Sequence, residues 1–484
     1  MSNSPQDKLP ASNLPTVKLG FATKLAYGAG DMGAGMTANL IAFSFLIFLT
    51  NAAGLSPIAA GMVLLIGKVW DAVNDPIVGV LSDRTRTRWG RRHPWMFLSA
   101  LPFGLTFFLM WLVPNLGKSD GNFWVSPLFW YYVVISVLFQ IFYTTTNLPY
   151  TTLTAELTQD YDERTELTSF RLAFSLAGAV LVLALGLVVS QLIPDNIPQQ
   201  YVVLGGICAI VSIIPLFWCI FGTYGPAQRQ QRQMGRTVES EEDSAEDMPL
   251  LEQLKVAFSN RPFLFVVGIY LFSWLAIQVT AAIIPYFVTA WMGQDSYFLA
   301  ALFVQGPAIL MMFICSAISQ QVGKQMLYFI GIGSWLIVQL FLFFLQPGQT
   351  NMMYLLCFAA SFGVATAYIV PWALLPDVIE LDELNTGYRR EGVFYAFMTL
   401  LQKMGLALGL FLVGVALEFA GFVEATDEVP IPVQPESALL AIRSAVALLP
   451  MLFLAGGLIL TYFYPITREV HAEILLKLSE KRNQ

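Results

Sequence analysis

The chain has 484 residues, of which 56% are hydrophobic and only 12% are charged. Soluble domains carry about 25% charged residues, so this composition excludes a soluble globular protein and indicates a protein of the lipid bilayer. The formal net charge of −7 is spread over loops and tails and therefore identifies no class of partner. All four cysteines fall in apolar runs without metal-ligand spacing, so we expect them to be packing residues.

Apolar runs long enough to cross a bilayer recur along the whole chain. They lie near residues 22–51, 57–81, 94–114, 126–152, 167–192 and 199–224, and then near 261–291, 296–320, 325–346, 351–378, 392–422 and 438–465. We predict an all-α membrane protein with twelve transmembrane helices in two six-helix halves, 22–224 and 261–466. Polar tails at 1–21 and 467–484 and a central linker at 225–260 complete the predicted organisation.

Lysine and arginine set the predicted orientation, because loops rich in these residues stay in the cytoplasm. With both termini inside, the loops of one side carry almost all of the 26 basic residues. Lys118 and Arg443 are the exceptions on the other side, whereas Lys68, Arg171 and Lys403 lie in or beside spans. We therefore expect a multi-pass protein of the cell membrane with both termini in the cytoplasm.

The central linker has mixed charge and few apolar residues, which predicts a mobile connection. Its basic residues Arg229, Arg232 and Arg236 are followed by the acidic residues Glu239, Glu241, Glu242, Asp243, Glu246 and Asp247. A short helix is predicted over Leu250–Phe258. We interpret the acidic run as solvated linker, and binding to a partner is the alternative.

The two halves resemble each other at one place, which supports their division. After the fourth span the chain reads Pro149-Tyr150 and then several acidic residues, and after the tenth it reads Pro371-Trp372 and a similar run. With the two prolines superposed, Asp160 falls on Asp382.

The second span carries ionisable residues at membrane depth. Lys68, Asp71 and Asp75 are spaced i, i+3 and i+7 and share one helix face. Each such group costs roughly 2.5–3.5 kcal/mol on insertion scales, so it persists where it faces a water-filled cavity or a partner. Two carboxylates on one face favour a cation site. The alternative is a buried Lys68–Asp71 pair with Asp75 capping a kink at Pro76.

The loop between the second and third spans contains more than the arginines that keep it in the cytoplasm. Its predicted gating residues are Gly79, Asp83, Arg84, Gly90, Arg91 and Arg92. A glycine such as Gly79 lets two helix backbones approach. Asp83 can accept hydrogen bonds from helix N-termini or guanidinium groups of the opposite half, which would form a latch that breaks when the halves rock. Positive-inside charge alone is the alternative for the arginines.

Longer strings carry a family resemblance. They are Lys24-Leu25-Ala26-Tyr27-Gly28, Trp70-Asp71-Ala72-Val73-Asn74-Asp75-Pro76 and Arg88-Trp89-Gly90-Arg91-Arg92-His93-Pro94-Trp95. At these separations they resemble the glycoside–pentoside–hexuronide:cation symporter family of the major facilitator superfamily, whose best-known member is melibiose permease. Asn147-Leu148-Pro149-Tyr150, Arg171 and Lys403 fit as well, so the similarity covers nearly the whole chain. The resemblance implies the major facilitator fold and transport by alternating access.

The resemblance also implies a site for a coupling cation, Na⁺ or H⁺. Asp71 and Asp75 match the two acids of the second helix that bind the cation in that family, and Thr144 matches its threonine ligand in the fourth helix. Carboxylate and hydroxyl oxygens are hard ligands suited to Na⁺, and the same carboxylates can carry H⁺. We expect the two acids beside Lys68 to leave one negative charge, which one cation brings to neutrality.

The chain departs from melibiose permease at two acids. Asn147 stands where that protein has an aspartate shared between sugar and cation, so we expect its amide to bridge both sites. Gly35 stands where it has a sugar-binding aspartate, and Asp31 lies one turn earlier. We expect Asp31 to reach the same cavity, and a proton carrier or a helix-end acid are the alternatives. The predicted substrate-binding residues are Asp31, Asn147, Tyr150, Thr151, Arg171, Tyr368, Trp372 and Lys403.

Arg171 and Lys403 are single cations in opposite halves. We expect both to pair with acids of the cavity, and snorkelling to the interface is the alternative for Arg171, which lies near a helix end. The predicted function is secondary active symport of a sugar, glycoside or uronide with Na⁺ or H⁺. A carrier of a lysolipid or other amphiphile is the alternative within this fold, because lysolipid carriers related to the family share the helix 2 acids.

Other classes of protein are less compatible with the sequence. A non-transporting receptor would not require charges within the membrane. An enzyme is not expected, because His93 and His471 lie in a basic loop and a tail without a nucleophile–base constellation. We expect no cofactor, no nucleic-acid partner, contact with membrane lipid, and a monomer.

The predicted topology is testable at Ser244, within the linker. In a background without reactive thiols, Ser244→Cys should react with an impermeant thiol reagent only from the cytoplasmic side, because the linker is charged and has little apolar surface. Intact cells and inverted vesicles give the comparison. Labelling from the external side alone would reverse the assignment.

Overall fold

The computed structural model describes residues 19–116, 122–158, 160–194, 196–234, 258–386, 391–424 and 432–482. Within these ranges every regular element is a helix. The helices are α1 (Phe21–Asn51), α2 (Pro57–Arg84), α3 (His93–Leu109), α4 (Pro127–Leu157), α5 (Tyr161–Leu192), α6 (Ile197–Met234), α7 (Arg261–Trp291), α8 (Phe298–Val322), α9 (Lys324–Phe344), α10 (Thr350–Thr386), α11 (Glu391–Phe419), α12 (Glu436–Tyr462) and α13 (Arg468–Arg482).

Among the described residues, eleven of these helices are long and apolar enough to cross a membrane. The twelfth, α3, is a shorter apolar helix of 17 residues. The predicted all-α architecture of twelve membrane helices is therefore confirmed, and their order follows the predicted spans.

Two segments differ from the prediction. α6 continues to Met234, past the predicted end of the span at 224, because the glutamines and arginines that follow Pro226 favour a helix. The C-terminal segment, predicted as a tail, forms α13, which packs against α10. Ile474 and Leu478, one turn apart, are buried there. The short helix predicted at Leu250–Phe258 lies almost wholly outside the described residues.

α1 is irregular at two places. Gly30 and Asp31 separate its segments Phe21–Ala29 and Met32–Leu40. A wider π-helical turn follows at Ile41–Phe45, and α7 carries the same irregularity at its own end, Phe287–Trp291. Such turns are rare and are frequently found at functional sites. The first helix of each half therefore departs from regular geometry near the same end of the bundle.

The two halves meet along α2 and α11, α5 and α8, and α1 and α7. We call the end of the bundle that carries residue 19 and α13 the tail end, and the opposite end, with the loops 52–56 and 292–297, the far end. Glycines permit the closest approach, since a Cβ on Gly414 of α11 would overlap the carbonyl oxygen of Pro57 at the start of α2. The main apolar core runs through both halves, whereas a smaller one occupies the tail end of the first half.

Hydroxyl groups join the halves at the far end. The hydroxyl of Tyr297 donates to Ser44 Oγ at 2.7 Å and lies 3.2 Å from that of Tyr201. The hydroxyls of Thr50 and Tyr286 lie 2.8 Å apart. All five residues are buried, so these contacts are shielded from water. They hold the far end shut in this conformation.

Each half carries an ion pair at the tail end, between the start of its third helix and the end of its fourth. In the first half, Arg91 and Arg92 lie 3.3 and 3.5 Å from Glu156. In the second half, Lys324 lies 2.6 Å from Asp377. The repetition seen in the sequence thus extends to the contacts that fasten the fourth helix of each half.

The far-end contacts are testable with Tyr297→Phe. A buried hydrogen bond contributes about 0.5–1.5 kcal/mol, and the substitution removes the contacts with both Ser44 and Tyr201, so the equilibrium should shift about fivefold or more toward a conformation open at the far end. Ala42 lines a cavity between the two halves, so thiol labelling of Ala42→Cys from the far-end side measures the shift in reconstituted protein. Tyr328→Phe is the control, because the Tyr328 hydroxyl bonds Ser273 at 2.7 Å within one half. Equal labelling in Tyr297→Phe and wild type would contradict this gating role.

Candidate functional site

A cavity of about 660 Å³ lies between the two halves. α1, α2, α4 and α5 form its wall on one side, and α7, α8, α10 and α11 form most of the other. The far-end contacts close one end. Leu172 and Thr399 lie in the wall toward the tail end, and both are exposed. The cavity therefore faces the tail end.

Two carboxylates and one hydroxyl meet where α2 packs against α4. Thr144 Oγ1 lies 3.1 Å from Asp71 Oδ1 and 3.1 Å from Asp75 Oδ1. The two acids are one turn apart on α2, which places both opposite the same residue of α4. The side chain of Asp71 is 1% exposed and that of Asp75 is 31% exposed, so the pair lies at the edge of the buried region.

The other oxygen of each carboxylate faces Lys403 of α11. The ammonium lies 3.1 Å from Asp71 Oδ2 and forms a close ion pair with Asp75 Oδ2. Lys68 lies 3.6 Å from Asp71 Oδ2 and donates to Gln140 Oε1 at 3.4 Å. Lys403 therefore ties the acids of the first half to the second half.

The formal charge of this cluster differs from the expectation. Asp71 and Asp75 with Lys68 alone would carry one negative charge, but Lys403 brings the cluster to neutrality in this conformation. An unpaired charge at membrane depth is costly. A cation that binds between the two acids would give the cluster a net positive charge unless the Lys403 ammonium moved away.

A second charged pair lines the cavity nearer the tail end. Arg171 Nε lies 3.7 Å from Asp31 Oδ2, at the break in α1, and both residues are in the wall. Gly35 packs so closely on α5 that a Cβ there would overlap the carbonyl oxygen of Ser175. α1 thus offers the cavity an acid at position 31 and has no space for one at position 35.

Asn147 and Thr151 of α4 lie in the same wall. Asn147 Nδ2 donates to the Tyr143 hydroxyl at 3.0 Å. Within the described residues no hydrogen bond joins Asn147 to Asp71 or Asp75, so in this conformation Asn147 faces the cavity rather than the acid pair.

Aromatic side chains of α7 and α10 form the opposite wall. Trp274, Tyr368 and Trp372 line the cavity. Trp274 meets Tyr368 edge to face with ring centroids 5.7 Å apart, and Tyr270 meets Trp372 in the same way at 5.5 Å. Aromatic faces suit a flat and partly apolar ligand.

Tyr150 does not reach this cavity, in contrast to the role expected for it. Its side chain is 1% exposed and stacks on Tyr27 with ring centroids 5.0 Å apart. Its hydroxyl donates to the Tyr27 carbonyl oxygen at 2.8 Å. The residue packs α4 against α1, because the rotation of α4 points it toward the smaller apolar core.

The predicted gating residues lie within the first half. Asp83, at the end of α2, pairs with Arg92 of the loop that follows, and among the described residues no ion pair joins it to the opposite half. Gly90 has a φ of +89°, a conformation that favours glycine, and turns the loop back toward α3. A Cβ on Gly79 would meet α4 at an ordinary 3.7 Å, so Gly79 marks no close helix approach here. Arg84 is exposed.

Sequence reasoning misses three polar residues at this site. Asn39 of α1 and Gln278 of α7 are buried and line the cavity. Gln140 bonds Lys68. A signal was available, because a lone amide in an apolar run is as unusual as the acids of α2.

Comparisons with known proteins agree with this architecture. Residues 26–468 match the family described as MFS/sugar transport protein. The uncharacterized symporter sll1374 of Synechocystis sp. is 45% identical, with 98% of this chain and 99% of that protein covered. The sodium-dependent lysophosphatidylcholine symporter 1 of Mus musculus is 26% identical, with 93% and 87% covered.

A solved structure shows the same fold. The inward-open xylose transporter XylE of E. coli has a TM-score of 0.59 at 15% identity, with 95% of this chain and 99% of that chain covered. These matches are transporters rather than enzymes, as the sequence led us to expect. The chain belongs to the MFS/sugar transport protein family and is a melibiose-permease-like, cation-coupled symporter of the major facilitator superfamily.

Proposed function

We propose that the protein moves a sugar, glycoside or uronide into the cell together with Na⁺ or H⁺, by alternating access between its two halves. The observation that supports this most directly is the meeting of Asp71, Asp75 and Thr144 with Lys403 at one cavity. The proposal places both termini in the cytoplasm of a cell-membrane monomer that needs no cofactor. The tail end is then the cytoplasmic end, and the present conformation is open to the cytoplasm.

The cation is proposed to bind between the two acids. The carboxylate oxygens and the Thr144 hydroxyl already converge, and hard oxygen ligands suit Na⁺. Protonation of one carboxylate would cancel the same charge, so the geometry supports H⁺ as well. In either case the ion replaces the ammonium of Lys403.

Lys403 provides the link between cation and substrate. Lys403 lies in the cavity wall. When its ammonium leaves the two acids, it can therefore turn into the cavity. There it joins Arg171 as a second positive group, which suits the hydroxyl and carboxylate oxygens of a sugar or uronide. Each ligand then favours the binding of the other, and this reciprocal coupling is what symport requires.

The substrate is proposed to lie between the two walls. Asp31 and Arg171 offer charged acceptors and donors from the first half, and Asn147 and Thr151 lie beside them. The faces of Tyr368 and Trp372 come from the second half. A ligand that touches both walls is released when the halves move apart.

The loop between α2 and α3 is proposed to act when the tail end closes. The side chain of Asp83 is 61% exposed, although it pairs with Arg92. A group of the opposite half can therefore replace Arg92 as its partner once the halves approach. Arg91 and Arg92 would remain fastened to α4 through Glu156.

One observation favours a second candidate substrate. The mouse relative is named a sodium-dependent lysophosphatidylcholine symporter, and the deep part of the cavity contains apolar residues such as Ala38, Ala42 and Ile284. An uptake assay on the reconstituted protein distinguishes a sugar substrate from a lysolipid substrate. The assay uses a panel of labelled sugars and lysolipids, each with and without Na⁺. Accumulation of a lysolipid and of no sugar would replace the proposed substrate class.

The acids are tested by Asp71→Asn and Asp75→Asn. Each substitution removes one charge from the proposed cation site, so cation-driven accumulation should fall to the level of passive entry while downhill exchange persists in part. Counterflow and gradient-driven uptake in proteoliposomes measure the two activities. Normal accumulation by both variants would place the cation site elsewhere.

The role of Lys403 is tested by Lys403→Met. Without its tethered ammonium the acid pair should bind Na⁺ about tenfold more tightly, which corresponds to about 1.4 kcal/mol, while coupled uptake is lost. Titration of Na⁺ on the purified protein measures the affinity. Lys324→Met is the control, because it breaks a comparable ion pair with Asp377 away from the cavity. Unchanged Na⁺ affinity in Lys403→Met would show that Lys403 does not compete with the ion.

A further inference from the structure

Apart from Arg171 Nε, which lies 3.7 Å from Asp31, three buried polar atoms of cavity-lining residues have no hydrogen-bond partner within the described part of the chain. They are Asn39 Oδ1 on α1 and Trp274 Nε1 and Gln278 Oε1 on α7. Asn39 and Trp274 are 9% exposed, Gln278 is 5% exposed, and all three residues line the cavity. The proposed replacement of the Lys403 ammonium by a cation involves none of these three atoms.

The three side chains lie on the two helices that meet at the far end. Asn39 is eight residues beyond Asp31 along α1, which places it about 12 Å nearer the far end. Trp274 and Gln278 are four residues apart, so they share one face of α7. We call these three residues the deep triad. A ligand held by Asp31 and Arg171 at one end would meet the deep triad at its other end.

The wall around the deep triad is apolar. Its neighbours in the lining include Ala38, Ala42, Ile277 and Ala281. A buried amide or indole N–H without a partner is unfavourable, and leucine or phenylalanine would fill the same space without that cost. The presence of three such groups around one cavity, one on α1 and two on α7, is accounted for by a partner that enters with the ligand.

The chemistry of the deep triad defines that partner. Asn39 and Gln278 present carbonyl oxygens that require donors, whereas Trp274 presents an N–H that requires an acceptor. A hydroxyl group donates and accepts, so a ligand with several hydroxyls can satisfy all three. An acyl chain satisfies none. We propose that the deep triad is a hydroxyl-binding subsite that selects a polyhydroxylated substrate over an acyl chain.

Two neighbouring aromatic rings hold the indole ring of Trp274 in place. It stacks on Tyr270 with ring centroids 6.0 Å apart and meets Tyr368 edge to face at 5.7 Å. Contacts on two sides set the direction of the indole N–H, so the donor is positioned before the ligand arrives. A site built to hydrogen-bond a hydroxyl rejects an analogue that lacks it far more strongly than an apolar pocket rejects a missing methylene.

This inference rests on the proposed function, since it specifies the substrate of the same cavity. The probes are hexoses, pentoses, methyl glycosides, disaccharides and glucuronate, each titrated on the full chain in nanodiscs at saturating Na⁺. For the probe that binds most tightly, Gln278→Leu, Asn39→Leu and Trp274→Phe should each weaken binding by about tenfold or more. With the deoxy analogue that lacks the matching hydroxyl, each variant and the wild type should bind equally.

Thr399→Val is the matched control. Thr399 lies in the same wall, but its hydroxyl already donates to the Tyr395 carbonyl oxygen at 3.0 Å. Its loss should change probe affinity by less than about twofold, because no buried group is left without a partner. Thermal unfolding of every variant confirms that the comparison is made on folded protein.

The outcomes separate the two proposals. Sugar binding that is equal in wild type and in all three variants overturns the deep triad, as does the absence of binding by every sugar. Binding of lysophosphatidylcholine to wild type as tightly as to Gln278→Leu, without sugar binding, also overturns it and favours the amphiphile. Titration of Na⁺ without sugar is independent of these results. If wild type and Asp71→Asn bind Na⁺ equally, the cation site fails even where the deep triad stands.

Discussion

An ammonium group from one half of this protein lies between two carboxylates of the other. Lys403 reaches Asp71 and Asp75 across the contact of α2 with α11, inside the part of the bundle that the membrane surrounds. These helices cannot separate there without leaving charges unpaired in a medium that penalises them. The packing contact between the halves is therefore also an ion pair, and in the proposed mechanism it changes when another cation takes the place of Lys403.

The local parts of this arrangement could be predicted from the sequence. The helix spans follow from apolar runs, because the thickness of the bilayer fixes their length. The shared face of Asp71 and Asp75 follows from their spacing on one helix. Both predictions need only residues that are near each other in the chain.

Other parts could not be predicted, because they depend on how each helix is rotated about its axis. An apolar helix such as α4 has no strongly polar side to fix that rotation. Tyr150 was therefore expected in the cavity, whereas its ring packs on Tyr27. Lys403 could be expected to meet an acid of the cavity. Its position between Asp71 and Asp75, which cancels the charge of the acid pair, depends on contacts between residues 328 positions apart.

The glycines of α1 and α5 have a mechanical consequence. A Cβ on Gly35 would overlap α5, one on Gly178 would overlap the Met32 carbonyl oxygen, and one on Gly33 would lie 2.8 Å from the Ser212 Cα of α6. Backbones that interlock in this way cannot slide past one another. The break at Gly30 is therefore braced and does not act as a hinge. We therefore expect the first half to move as one rigid body that carries Asp31 and Arg171 with it.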